Sequence, residues 1–175
     1  MRTENLKAVV AIVLLTVAGF ACKSLGEPHA IKSKDGQYEI TVPANMSESP
    51  SLNKDAQLTA ANRPNELYVF VLTNKKSDYA DGQTLDEHAD ILRNALQKQL
   101  TDADASTAEN VTVNGREGRR FRVSGGKDNI KLTYFLTIVE TADNFHHIWT
   151  WTEGSKAVEN EPVLNRIADS FHINK

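Results

Sequence analysis

The chain has 175 residues, 40% of them hydrophobic and 25% charged, with a formal net charge of −3. A mildly acidic balance excludes a nucleic-acid binder that works through a strongly basic surface. The single cysteine excludes an internal disulfide. The length suits a short leader followed by one domain with its own core.

The first element is a leader. Arg2 and Lys7 sit in a short polar stretch, and Ala8 to Phe20 form an uncharged, apolar run of 13 residues broken only by Thr16. A bilayer-spanning helix needs about 20 residues, so this run is too short to span. It fits the apolar region of an export signal, with small residues marking the cut. Ala18-Gly19-Phe20-Ala21-Cys22 resembles a bacterial lipobox. That resemblance implies cleavage after residue 21 and a diacylglycerol, with palmitate-type acyl chains, on the Cys22 thiol. Without residues 1–21 the net charge is −4. Lys23 does not resemble the aspartate that retains enteric lipoproteins at the inner membrane, which points to the periplasmic face of the outer membrane. No second long apolar segment follows.

Residues 22–34 are mostly polar and are expected to form a flexible tether, leaving 35–175 as the domain. Its 12 residues after Cys22 reach about 40 Å when extended. Asp35-Gly36 opens the domain as a turn. Tyr38, Ile40 and Val42 alternate as a half-buried strand ended by Pro43. Residues 44–55 read as loop, and 57–62 as a weaker strand. Leu67 to Thr73 is apolar almost throughout, as in a strand covered on both faces. Thr84-Leu85-Asp86-Glu87 is a capping box. Leu85, Ala89, Leu92, Leu96 and Leu100 then form the apolar stripe of a four-turn helix. His88 lies off that stripe and is expected to be solvated.

Val111 and Val113 lead into Asn114-Gly115, a strong hairpin signal. Phe121 and Val123 precede Ser124-Gly125-Gly126, which reads as the next turn. Ile130 to Ile138 alternate as a long strand, and Ala142-Asp143-Asn144 turns it back. Phe145, His147, Trp149 and Trp151 share one face of the following strand. A last helix is expected over residues 155–170, with Pro162 in its first turn or bending it. The order β-β-β-α-β-β-β-β-α with short turns predicts an α+β fold: an antiparallel sheet with helices packed on it, an α/β/α sandwich.

Three pieces, in this order and spacing, resemble the PsbP-like superfamily and its DcrB-type bacterial envelope lipoproteins. They are the opening 35–43, the middle 113–118, and the closing 145–152 followed by a helix ending at Phe171. The resemblance spans about residues 35–172. It implies a curved antiparallel sheet between helices, no shared catalytic residues and accessory or binding roles.

The chemistry-bearing residues are few. Ser51-Leu52-Asn53-Lys54 matches a Ser-x-x-Lys pattern, and Ser77-Asp78-Tyr79 echoes a partner motif, but no Lys-Thr-Gly follows. His146 and His147, near Asp143, point to opposite faces of a strand and so do not converge on one metal ion. The sequence implies no catalytic residue, no cofactor and no metal. Trp149 and Trp151 have two readings, core beneath a helix or a platform for a ligand such as a sugar or peptide. Arg116, Arg119, Arg120 and Arg122, followed by Lys127 and Lys131, concentrate positive charge locally. If Phe121 and Val123 point inward, Arg120 and Arg122 share the outer face. That face is either a solvated strand edge or a docking site for an acidic protein or an anionic envelope component. The expected function is a lipid-anchored envelope protein acting as a non-catalytic protein-binding or accessory module. The alternative is a carrier of a small or lipidic ligand held between sheet and helix.

Overall fold

The computed structural model describes residues 26–174; Cys22 and the leader lie outside that range. Eleven strands and two α-helices are found there: β1 His29–Lys32, β2 Tyr38–Val42, β3 Ser47–Glu48, β4 Leu58–Asn62, β5 Leu67–Lys75, α1 Leu85–Gln99, β6 Thr101–Ala105, β7 Glu109–Val113, β8 Arg116–Lys127, β9 Ile130–Glu140, β10 Asn144–Glu153, α2 Ala157–Asp169 and β11 His172–Ile173. All pairings are antiparallel. The large sheet runs β3-β4-β5-β10-β9-β8-β6, with β7 also paired to β8; a small sheet runs β1-β2-β11. The expected α+β architecture is present.

Two cores lie on opposite faces of the large sheet. One joins Val69, Val71, Phe135 and Ile148 of that sheet to Leu164 and Ile167 of α2 and to Ile40 and Val42 of the small sheet. The other places Leu85, Ala89 and Leu96 of α1 over Phe121, Leu136, Ile138 and Phe145. β10 lies between β5 and β9 and is buried on both faces through most of its length. A strand of that kind needs apolar or hydrogen-bonded residues at every position. The buried threonines fit this: Thr150 Oγ1 donates to Phe135 O at 3.1 Å, and Thr152 Oγ1 accepts from Asn160 Nδ2 at 2.8 Å.

Local signals account for several boundaries. The Thr84 hydroxyl accepts from the Glu87 amide at 3.2 Å, and Glu87 Oε2 accepts from the Thr84 amide at 2.9 Å. Asn114 and Gly115 both take positive φ, 46° and 78°, as the two-residue hairpin between β7 and β8 requires.

Four expectations are corrected. The ordered fold begins within the stretch expected as tether, because residues 29–32 pair with β2 and bury Ile31. Ser124-Gly125-Gly126 is not a turn: β8 continues to Lys127, and the turn falls at Asp128-Asn129, where φ is 51° and 64°. The glycines serve close approach, since a Cβ on Gly125 would lie 2.7 Å from Leu100 Cβ. The last helix begins at Ala157, after a 3-10 turn over Gly154–Lys156, and Pro162 falls inside it, beyond the first turn. Strands β1, β3, β6 and β11 lengthen the expected order. Each is short, and β3 and β6 bury no residue, so they carry little periodic signal.

The cap at α1 yields a direct test. Thr84→Ala removes the hydroxyl that satisfies the Glu87 amide, and urea unfolding should show a loss of about 1 kcal/mol.

Candidate functional site

Cross-strand partners in an antiparallel sheet share a face, so the registers give the rows of side chains directly. On the α1 face one row runs Ala61, Tyr68, Trp151, Tyr134 and Val123. The next runs Thr59, Phe70, Trp149, Leu136 and Phe121. A third holds Leu72, His147, Ile138 and Arg119. α1 covers the β8 and β9 end of these rows. Tyr68, Phe70 and Leu72 of β5 and Trp149 and Trp151 of β10 stay half-buried at the other end, as does Tyr134 on β9.

Trp151 has Tyr68 stacked on it at 5.1 Å and 12°, and Tyr134 at 6.2 Å and 28°. Phe70 stacks on Trp149 at 5.8 Å and 29°. Coplanar rings lying flat on the sheet cannot come this close. Tyr68 and Tyr134 therefore stand against the two faces of Trp151, while Phe70 meets Trp151 edge-on at 64° and Trp149 keeps its Nε1 buried. Offset stacking of this kind adds about 0.5–1.5 kcal/mol per pair beyond area burial. A flat sugar needs free ring faces, and the faces of Trp151 are already taken. Rings packed against one another in this way make a ridged apolar surface instead. Trp149 packs against the edge of the α1 core and Trp151 lies beyond it, and neither forms a flat sugar platform.

α1 borders this ring stack. His88, Ile91 and Ala95 recur at steps of three and four, so they line one edge of the helix. His88 reaches β10, and Ile91 on the same edge is 56% exposed.

His88 itself is a correction. It is 1% exposed, not solvated. Its ring stacks on Phe145 at 4.1 Å and 11° and meets Tyr79 edge-on at 4.6 Å. His88 Nε2 lies 2.7 Å from His147 Nε2, while His88 Nδ1 is buried without a hydrogen-bond partner. Burial lowers the His88 pKa, and burial together with the neighbouring His88 and His146 pushes His147 down to about 3. The apolar stripe gave no sign of this, because a histidine beside a stripe is ordinarily solvated. The signal available was the second histidine at an inward position of β10.

His146 and His147 do point to opposite faces. His146 Nδ1 lies 3.0 Å from Thr73 Oγ1, on the α2 face beside Phe171 and Tyr38. Burial, then Arg116, pushes His146 down to about 4. Ser51 lies in an exposed turn between β3 and β4.

The arginines are divided between two faces. Arg119 lies on the α1 face with Phe121 and Val123, is 7% exposed, and pairs with Asp86 of α1 and with Glu117 at 2.9 Å. The hydrogen bond to Asp86 raises the Arg119 pKa and lowers that of Asp86. Arg120 and Arg122 share the other face, as expected. There Arg120 pairs with Asp169 of α2 at 2.5 Å and donates to Thr137 Oγ1 at 2.9 Å. Arg122 approaches Asp104 of β6 at 3.5 Å. Only Arg116 and Arg122 are exposed. Two of the four arginines therefore fasten helices to β8, and the cluster does not form one basic face.

Among known proteins, no family model and no curated sequence matches the chain. Solved structures do. The PsbP protein of Synechocystis sp. PCC 6803 (CyanoP) superposes with a TM-score of 0.60 at 14% identity, covering 88% of this chain and 98% of that one. LpqN of Mycobacterium tuberculosis, a protein involved in cell envelope biogenesis, gives 0.59 at 14% identity, covering 85% and 91%. PA94 of Pseudomonas aeruginosa, a protein of unknown function, gives 0.50 at 13% identity, covering 86% and 99%. At such identities the likeness is one of fold. The chain has a PsbP-like α+β fold. Among the described residues no helix is long and apolar enough to cross a membrane.

The division of the arginines is testable by charge reversal. Arg119→Glu sets a carboxylate against Asp86 and Glu117 and should lower the urea midpoint clearly. Arg122→Glu, at a half-exposed side chain, should stay within about 0.5 kcal/mol of the native protein.

Proposed function

We propose that the chain is an envelope-tethered, non-catalytic binding module of DcrB type, whose partner protein docks on the ring stack of β5, β10 and β9. The observation that carries this reading is the half-buried ring stack itself, with Ile91 exposed on the edge of α1 from which His88 reaches β10. Contiguous apolar surface of this kind marks interaction sites, and aromatic anchors dominate their energetics. Rings packed against one another suit a partner with an apolar, ridged surface, such as an amphipathic helix. The tether is lipid on Cys22, supported by the lipobox resemblance and by fold likeness to an envelope protein. The non-catalytic role is supported by the placement of the buried histidines within packing rather than in a cleft. An acidic or anionic partner finds Arg116 and Arg122 exposed along β8 with Lys127 and Lys131 at its far end, while Arg119 and Arg120 are paired to the helices, so the basic cluster is given a secondary part.

A second reading, a carrier of a small or lipidic ligand, is favoured by a groove on the opposite side of the sheet. It has a volume of about 840 Å³ and lies between β2, the loop after it and α2, with Val42, Pro43, Leu67, Val163 and Ile167 in its walls. Ligand pockets typically span about 300–1,000 Å³.

Two experiments test the proposal. Cys22→Ser should move the cleaved protein from the membrane to the soluble fraction; sedimentation with membranes regardless would remove the lipid tether. Crosslinking and capture from intact envelopes should recover a partner with the native chain and with Arg116→Glu/Arg122→Glu. Recovery should fall at least about 30-fold with Tyr68→Ser/Trp151→Ser. An unchanged yield from a ring-stack variant that is folded by circular dichroism would exclude this face.

A further inference from the structure

The two imidazole nitrogens of His88 and His147 are 2.7 Å apart. At that distance one ring donates and the other accepts, so a single proton lies between them. Two N–H groups cannot face each other there: they clash, and two cations in an apolar site repel. The bond joins the N-terminal half of α1 to β10, beside the ring stack.

We propose that the His88–His147 pair is an acid-operated latch that holds α1 on the sheet, and that its release widens the apolar face offered for binding. The second half of this statement rests on the binding role given above to the ring stack. The row Phe70, Trp149, Leu136, Phe121 shows what release does. Its first two members are half-buried, and its last two are fully buried in the core that α1 closes. Lifting α1 extends the open row from two strands to four.

The surroundings offer the pair no compensating charge. Among the described residues, no carboxylate hydrogen-bonds to either ring. Lys76 lies 5.2 Å from the centre of the Phe145 ring and is paired with Glu140 at 2.6 Å. Arg119, in the row of His147, is held by Asp86 and Glu117. Tyr79 is kept neutral, its pKa raised by burial. From the far face of β10, His146 disfavours charge on His147, and Arg116 does so on His146. The nearby cations are thus neutralised by partners of their own or act against protonation.

The direction follows from linkage. Both rings titrate below 6.5 in the closed state, His147 at about 3. Once released they take up protons near 6.5, their ordinary value. The closed state is fully favoured above that pH and loses ground as pH falls toward the closed-state values. Each histidine multiplies the opening equilibrium by up to about tenfold per pH unit, and the pair by up to about 100-fold.

The test is hydrogen exchange on the full chain, corrected for the intrinsic rate, with binding of an apolar fluorescent dye followed in parallel. From pH 7.5 down to about pH 5, protection over residues 85–99 should fall more than tenfold and dye fluorescence should rise. His146→Gln, a control on the other face, should behave like the native protein. His88→Leu/His147→Met should lose the pH dependence in this segment. The proposal is overturned if protection is independent of pH in the native chain, or if the double variant still opens in acid. Should the double variant fail to fold, imidazole NMR of the native chain decides. Both rings should stay neutral while α1 is protected and titrate as protection is lost; titration near 6.5 under a protected α1 sinks the latch. None of these readouts needs a partner, so failure of the latch and failure of the docking face are told apart.

Discussion

Most rows of the large sheet pass through β10, and the constraint on that strand organises the molecule. It is sandwiched between α1 on one face and α2 on the other, with β5 and β9 at its sides. No water is available to its side chains over most of its length, so each polar group there needs a partner from a neighbouring element. Thr150 finds the Phe135 carbonyl, Thr152 finds Asn160 of α2, His146 finds Thr73 of β5, and His147 finds His88 of α1. Asn160 also donates to the Asn65 carbonyl at 3.0 Å, which ties α2 to the turn before β5. The polar positions of one strand thereby set the positions of both helices.

The same economy explains the arginines. A guanidinium presents several donors in a fixed fork and suits bidentate pairing with carboxylates. Placed on successive positions of β8, Arg119 and Arg120 project to opposite faces, one toward Asp86 at the start of α1 and one toward Asp169 at the end of α2. Each bond joins a helix terminus to the sheet. Asp86 also lies in the first turn of α1, where a carboxylate complements the helix dipole. Positive charge that is dense in the sequence is thus dispersed in space and largely neutralised within the chain.

The part of the sheet that α1 leaves uncovered is apolar. The ring stack is packed well enough to be ordered and covered too little to be core. α1 spans β8, β9 and part of β10 but stops short of β5, leaving Phe70, Tyr68 and Leu72 without a helix above them. A sheet wider than the helix that covers it must show apolar surface on one side. Here that surface carries five aromatic rings, and Ile91 is exposed on the edge of α1 from which His88 reaches β10. The α2 face is closed differently, because the small sheet covers what α2 leaves bare.

The sequence by itself determined the features set by neighbouring residues. The Thr84–Glu87 capping box, the stripe from Leu85 to Leu100 and the Asn114-Gly115 hairpin rest on contacts within a few positions, and all are present; the long strand at β9 is present too, but it is buried on both faces from Phe135 to Val139 rather than alternating. Residues 1–21 and Cys22 are likewise read from local pattern alone, and lie outside the described structure. Only the tertiary structure decided the rest. β1 became a strand because β2 offered it a partner, and the Gly125-Gly126 pair stayed in β8 because Leu100 and β6 come close there. His88 became buried because Phe145 and His147, nearly sixty positions away, meet it across the sheet. Whether Trp149 and Trp151 are core or surface depended on how far α1 reaches over the sheet. Periodicity assigns a side chain to a face; what covers that face is fixed only by long-range packing.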